Sequence, residues 1–158
     1  PPKSAMPSEF AIDYIRWVFF CALGAFQFVA AKNGLHGVML ARGFPRLTMI
    51  AALALVGIAT AVYFASEPRN QPDAGLGLDA NEQGRWFAIA AAAAIGATVA
   101  LTSVINHRWG ARHGLDAGAR DAPPSGVGRL QRTTFARAFA ARVGYARRRR
   151  VGAFRVED

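Results

Sequence analysis

The feature that most constrains this chain is the uncharged segment Leu47 to Ser66, LTMIAALALVGIATAVYFAS, which directly follows Arg46. Its twenty residues would rise about 30 Å as an α-helix, which matches the hydrocarbon core of a bilayer. Leu, Ile, Val and Phe each favour insertion by roughly 0.3–0.6 kcal/mol. The segment contains no Asp, Glu, Lys, Arg, Asn or Gln that would give a soluble helix its polar face. It therefore predicts a membrane-spanning helix rather than a buried helix of a soluble core.

Two further uncharged segments predict two further spans. Residues 17–31 are uncharged but short for a span. The segment reaches spanning length when residues 12–15 are included. The charges of Arg16 and Lys32 can then extend along their side chains to the membrane interface. Residues 86–106 are also uncharged but rich in alanine, which contributes little to insertion, so this span needs helix neighbours. The predicted fold class is an all-α membrane protein with three transmembrane helices, at about 12–31, 47–66 and 86–106.

The charge of the chain is concentrated at its C-terminal end. The net charge is +9, yet residues 1–106 carry seven Lys/Arg against six acids, and residues 107–158 carry twelve Arg against four acids. A spacing of four residues between Phe135, Phe139 and Val143 predicts that part of this basic region is helical. The predicted organisation is an irregular N-terminal leader at 1–9, a three-span domain at 10–106 and an Arg-rich tail at 107–158.

The distribution of basic residues also predicts a topology. Basic residues cluster in 32–46 and after His107, whereas the loop 67–85 is acidic. Three spans place the two basic segments on one side, and the positive-inside rule makes that side cytoplasmic or its equivalent, in a bacterial inner membrane or an organellar one. The N-terminus is then outside and the C-terminus inside. Aromatic residues expected at the interfaces are Tyr14, Trp17, Tyr63 and Trp86 outside and Trp109 inside.

The sequence contains none of the residue patterns that are typical of a catalytic or metal-binding site. There is no nucleophile with a base, no pair of carboxylates in an apolar segment and no ligand cluster, so we expect neither an enzyme nor a metal site. Residues 79–84 resemble the start of a calcium loop, but Ala90 stands where the bidentate Glu is required. No cofactor is expected: His36 lacks a second His or Cys at ligand spacing nearby, and His36 and His107, both at the inner boundary of the spans, are weak candidate ligands only.

Candidate partner-binding residues are of three kinds. Gln27 is polar within the first span and is expected to hydrogen-bond another helix. Small residues recur every fourth position in the second and third spans, a pattern that lets helix backbones approach closely but that also arises by chance in alanine-rich segments. Arginines interleaved with Phe and Tyr suit bidentate pairing with carboxylates or phosphates. The small residues are Gly57, Ala61, Ala92, Gly96 and Ala100, and the arginines are Arg129, Arg132, Arg137, Arg142, Arg147, Arg148, Arg149 and Arg150.

These features favour a non-catalytic accessory subunit of a larger membrane complex, such as a respiratory or photosynthetic one. Its spans would pack on other membrane subunits, and its Arg tail would dock on their inner face. One alternative is a free-standing membrane protein whose tail binds anionic lipid headgroups. Another is a small enzyme or cofactor carrier in which His36 and His107 meet at the inner boundary. Nucleic acid is an unlikely partner for a membrane-tethered chain that contains no known nucleic-acid-binding motif.

Overall fold

The computed structural model describes residues 9–65, 80–109 and 126–154, and every regular element in these ranges is helical. Three helices are long and apolar enough to cross a membrane. The prediction of an all-helical chain with three candidate membrane spans is therefore confirmed. The elements are α1 (Glu9–Lys32), α2 (Pro45–Ala65), α3 (Ala80–Ile105), a short 3-10 helix (Val127–Gln131) and α4 (Phe135–Phe154).

The structure describes little of the leader and of the linkers between α2 and α3 and between α3 and the 3-10 helix. Residues 1–8, 66–79, 110–125 and 155–158 are not among the described residues. The predicted leader at 1–9 and the acidic loop at 67–85 therefore overlap the described part only at their C-terminal ends.

The helices begin earlier than the apolar segments that predicted them. α2 begins at Pro45, and the hydroxyl of Thr48 donates to the carbonyl oxygen of Phe44 at 3.0 Å in its first turn. α3 begins at Ala80, six residues before the predicted span at Trp86. Its first turns are polar and carry an ion pair between Arg85 and Glu82 at 3.9 Å. An uncharged segment indicates only the part of a helix that can contact lipid. The helix itself can extend beyond that segment, because polar residues also form helical turns.

α1 is the central helix of the bundle and packs against both α2 and α3. Close approach of α2 depends on Gly24, because a Cβ at this position would stand 2.8 Å from the carbonyl oxygen of Ala52. Packing of α3 uses a stripe of small residues that are buried against the rest of the chain, namely Ala90, Ala94, Thr98 and Thr102.

The two ends of the bundle differ in composition. At the end where α1 begins, the rings of Trp17 and Tyr63 stack with centroids 4.7 Å apart, and Tyr14 and Trp86 belong to the same cluster. At the opposite end, the ring of Trp109 lies beneath the guanidinium of Arg42 at 5.1 Å. The aromatic residues assigned to opposite interfaces thus lie at opposite ends. Which end faces the cytoplasm stays a prediction.

Candidate partner interface

The first connection and the start of the tail meet at one end of the bundle, which we call the basic end (residues 32–46, 106–109 and 126–134). The backbone N–H of Gly37 donates to the carbonyl oxygen of Leu130 at 2.7 Å. The side-chain amide of Asn106 donates to the carbonyl oxygen of Met39 at 2.9 Å. The side chain of Leu130 packs against a buried cluster that includes Met39. Both basic segments of the sequence therefore lie at the same end, as three consecutive spans require.

Gly37 is the point of closest contact between these segments. It is buried, and a Cβ built on it would overlap the carbonyl group of Thr133 and stand 2.9 Å from the carbonyl oxygen of Leu130. Only a residue without a side chain permits this approach together with the hydrogen bond. The sequence pattern alone does not show that Gly37 makes this contact, since its partner Leu130 is more than ninety residues away.

Gln27 is buried, with 4% of its surface exposed, and bonds within its own chain. Its side-chain nitrogen donates to the carbonyl oxygen of Val38 at 3.0 Å, and its side-chain oxygen accepts from the backbone N–H of Leu40 at 2.9 Å. The sequence pattern predicts that Gln27 bonds another helix. The structure instead places its amide on the connection that follows α1, because that connection folds back over the end of the helix.

The predicted small-residue pattern of α3 lies on the outside of the bundle. Ala92, Gly96 and Ala100 are all exposed, and a Cβ added to Gly96 would meet nothing within 4 Å. They follow the buried stripe by two positions, which places them about 200° around the helix from it. The hydroxyls of the buried Thr98 and Thr102 donate to carbonyl oxygens one turn earlier at 2.8 Å and 2.7 Å, so they need no other partner.

α2 repeats this arrangement. Thr48 and Ala52 are its buried residues, whereas Gly57 and Ala61 are exposed. Gly57 lies about 180° around the helix from Thr48, and a Cβ on it would also meet nothing within 4 Å. Each of the two outer helices therefore carries one small-residue stripe that packs inside the chain and one that faces outward. We call the outward ones the outer stripes (Gly57 and Ala61; Ala92, Gly96 and Ala100).

The described arginines of the tail have no acidic partner within the described part of the chain. Arg132, Arg142 and Arg147 are exposed, and residues 126–154 contain no Asp or Glu. Arg129 and Arg137 are partly buried, with nitrogen atoms that are out of contact with solvent and have no hydrogen-bond partner. The predicted residues Arg148, Arg149 and Arg150 fall within α4, but their side chains lie outside the described residues.

The ion pairs that the structure describes lie away from the tail. Arg16 and Asp13, three residues apart on α1, approach to 3.4 Å. The second pair, Arg85 with Glu82, lies on the first turns of α3. Both pairs therefore lie toward the end of the bundle where α1 begins, whereas the described residues of the basic end include no Asp or Glu.

The histidine candidates do not form a ligand set in the described part of the chain. The ring of His36 is 6.2 Å from the ring of Trp109 in an edge-on arrangement, and His107 is exposed. The residues that the structure describes contain no group of three or more His, Cys, Asp or Glu side chains that could hold a metal ion. Cys21 lies beside Thr60, with 3.7 Å between the sulfur and the hydroxyl oxygen.

Comparison with known proteins adds no relative to this description. No family model, no curated protein and no solved structure matches the chain.

Proposed function

We propose that this protein is a non-catalytic, three-span subunit of a larger membrane complex, and that other subunits pack on its outer stripes. One observation carries the proposal: α2 and α3 each have two separate small-residue stripes, and the chain itself uses one of them. The second stripe is exposed on both helices, and a Cβ added at Gly57 or Gly96 would meet nothing within 4 Å among the described residues.

The proposal rests on what small residues do in a membrane. Helices in lipid associate through close packing rather than through a hydrophobic driving force, and Gly and Ala permit that packing. A surface that faces only lipid gains more from Leu or Ile, because alanine contributes little to insertion. The alanine-rich α3 is therefore better explained if its outer stripe also contacts protein.

The charge of the basic end supports docking on the inner face of the same complex. The tail presents exposed arginines with no acid in residues 126–154, and the first connection adds Arg42 and Arg46 at the same end. Guanidinium groups pair carboxylates in a bidentate geometry. An acidic surface on a neighbouring subunit would complement them.

The test is mild-detergent extraction from the native membrane, followed by a native gel and mass spectrometry of the proteins that migrate with this chain. Wild-type protein should migrate with a defined set of larger subunits. Gly57→Leu and Gly96→Leu should release it, because the added side chain separates the helix backbones. The control is Leu101→Phe, which adds bulk to an exposed flank of α3 about 140° around the helix from Gly96.

Two outcomes would contradict the proposal. If the wild-type chain migrates alone, it belongs to no stable complex, and the free-standing lipid-binding alternative gains support. If Gly96→Leu and Leu101→Phe behave alike, the outer stripe has no special role in assembly.

A further inference from the structure

The 3-10 helix and the first half of α4 enclose a groove with an apolar floor and cationic walls. Its volume is about 340 Å³, which is within the range of small-molecule sites. The apolar lining residues include Val127, Leu130, Phe135 and Phe139, and the cationic ones are Arg129 and Arg142.

From this groove we propose that the protein binds one anionic phospholipid at its basic end, with the lipid phosphate held between Arg129 and Arg142 and an acyl chain lying along Phe135 and Phe139. This inference does not depend on the outer stripes that carry the proposed function, although the groove uses arginines of the same basic end.

The residues that line the groove include two arginines and no Asp or Glu. Arg129 is partly buried, and two of its nitrogens, Nε and Nη2, have no hydrogen-bond partner in the described structure. Its guanidinium has therefore lost part of its hydration without gaining an acidic partner among the described residues. A phosphate in the groove would supply the opposite charge, and guanidinium groups pair phosphates in a bidentate manner.

The apolar floor distinguishes an amphiphile from a simple anion. The rings of Phe135 and Phe139 are stacked with centroids 6.3 Å apart, and they remain 44% and 62% exposed. Val127 on the facing wall is 71% exposed. An acidic protein surface or free phosphate would neutralise the arginines but would leave these rings uncovered. A phospholipid covers both parts of the groove.

The position of the groove agrees with this occupant. Leu130 belongs to its lining and also packs on the buried cluster at the basic end of the three-helix bundle. The groove is therefore anchored beside the ends of the membrane-spanning helices, where lipid headgroups lie. Each cation near the surface strengthens attraction to anionic headgroups by roughly fivefold in affinity.

The experiment compares binding of the purified full-length chain, in a neutral detergent, to phosphatidylglycerol and to phosphatidylcholine by native mass spectrometry. Wild-type protein should retain one phosphatidylglycerol, with at least tenfold preference over phosphatidylcholine. The double variant Arg129→Gln, Arg142→Gln should lose this bound lipid. The matched control Arg132→Gln, Arg147→Gln removes the same charge from exposed positions that do not line the groove, and it should keep the bound lipid.

Three results would overturn the inference. Equal retention of the two lipids would remove the role of charge, and equal loss in the two double variants would make the attraction diffuse. Displacement of the lipid by millimolar inorganic phosphate would make the site a phosphate site rather than a phospholipid site. Circular dichroism of both double variants establishes that a loss of lipid does not reflect a loss of helix.

Discussion

The replacement Gly37→Ala should weaken the docking of tail residues 127–134 on the first connection. A Cβ at this position overlaps the carbonyl group of Thr133 and lies 2.8 Å from its carbonyl carbon, well inside ordinary van der Waals contact. The obstructing atoms belong to the backbone, so no rotation of a side chain can relieve the overlap. The two segments must move apart, and the hydrogen bond from residue 37 to Leu130 is lost with them.

The size of the effect follows from these two contributions. Overpacking of a close contact typically costs about 1–3 kcal/mol, and the net loss of one hydrogen bond costs about 1 kcal/mol. We therefore expect docking to weaken by at least about 2 kcal/mol, which is roughly a 30-fold change in an equilibrium constant. Because the packing of α1 with α2 and α3 does not depend on this contact, the three-helix bundle itself should remain folded.

Hydrogen exchange in detergent micelles measures this change directly. The amide of residue 37 should exchange at least about 30-fold faster in Gly37→Ala than in wild type, since local opening controls exchange. Gly43→Ala is the matched control, because Gly43 lies in the same connection, is exposed and has nothing within 4 Å of an added Cβ. Equal protection in the two variants would refute the reasoning.

Three further replacements, two of them with a matched control variant, test the packing inside the bundle through the thermal midpoint in detergent. Gly24→Ala should destabilise the chain by about 1–3 kcal/mol through overpacking, whereas Gly96→Ala should be neutral or stabilising because alanine favours helix by about 1 kcal/mol; a similar loss in both would contradict the assigned faces. Gln27→Leu leaves the buried carbonyl oxygen of Val38 and the partly buried N–H of Leu40 without this partner, and the loss at Val38 alone should cost about 1–3 kcal/mol. The exposed Gln83→Leu should change stability by no more than about 0.5 kcal/mol, and equal midpoints for the two Gln variants would disprove the role of Gln27. Asn106→Ala should cost about 1 kcal/mol by removing its bond to the first connection, and an unchanged midpoint would show that this bond is unimportant.

The three helices were predictable because their signal is local. A run of uncharged residues long enough to span a bilayer fixes both the type and the approximate position of each helix. The ends were less predictable, as α3 shows, because Glu82 and Arg85 support a helical turn that the apolar pattern does not contain.

The sequence pattern does not determine how the helices pack against one another. In α3, small residues occur on both the buried and the exposed side, so the repeat Ala92, Gly96, Ala100 could not be assigned to an inner or an outer face. The role of Gln27 depends on a connection that returns over its own helix. The groove beside Arg129 needs two elements that only the folded tail brings together.

The most direct test of the account places a photo-reactive side chain at one exposed position of α3 in the native membrane. Ile89 is 49% exposed and lies about 20° around the helix from Gly96, on the face of the outer stripe. Leu101 is 54% exposed but lies about 140° from Gly96, away from that face. We predict a discrete protein adduct from position 89 and none from position 101. The same outcome at both positions would contradict the proposal that α3 binds a neighbouring subunit through its outer stripe.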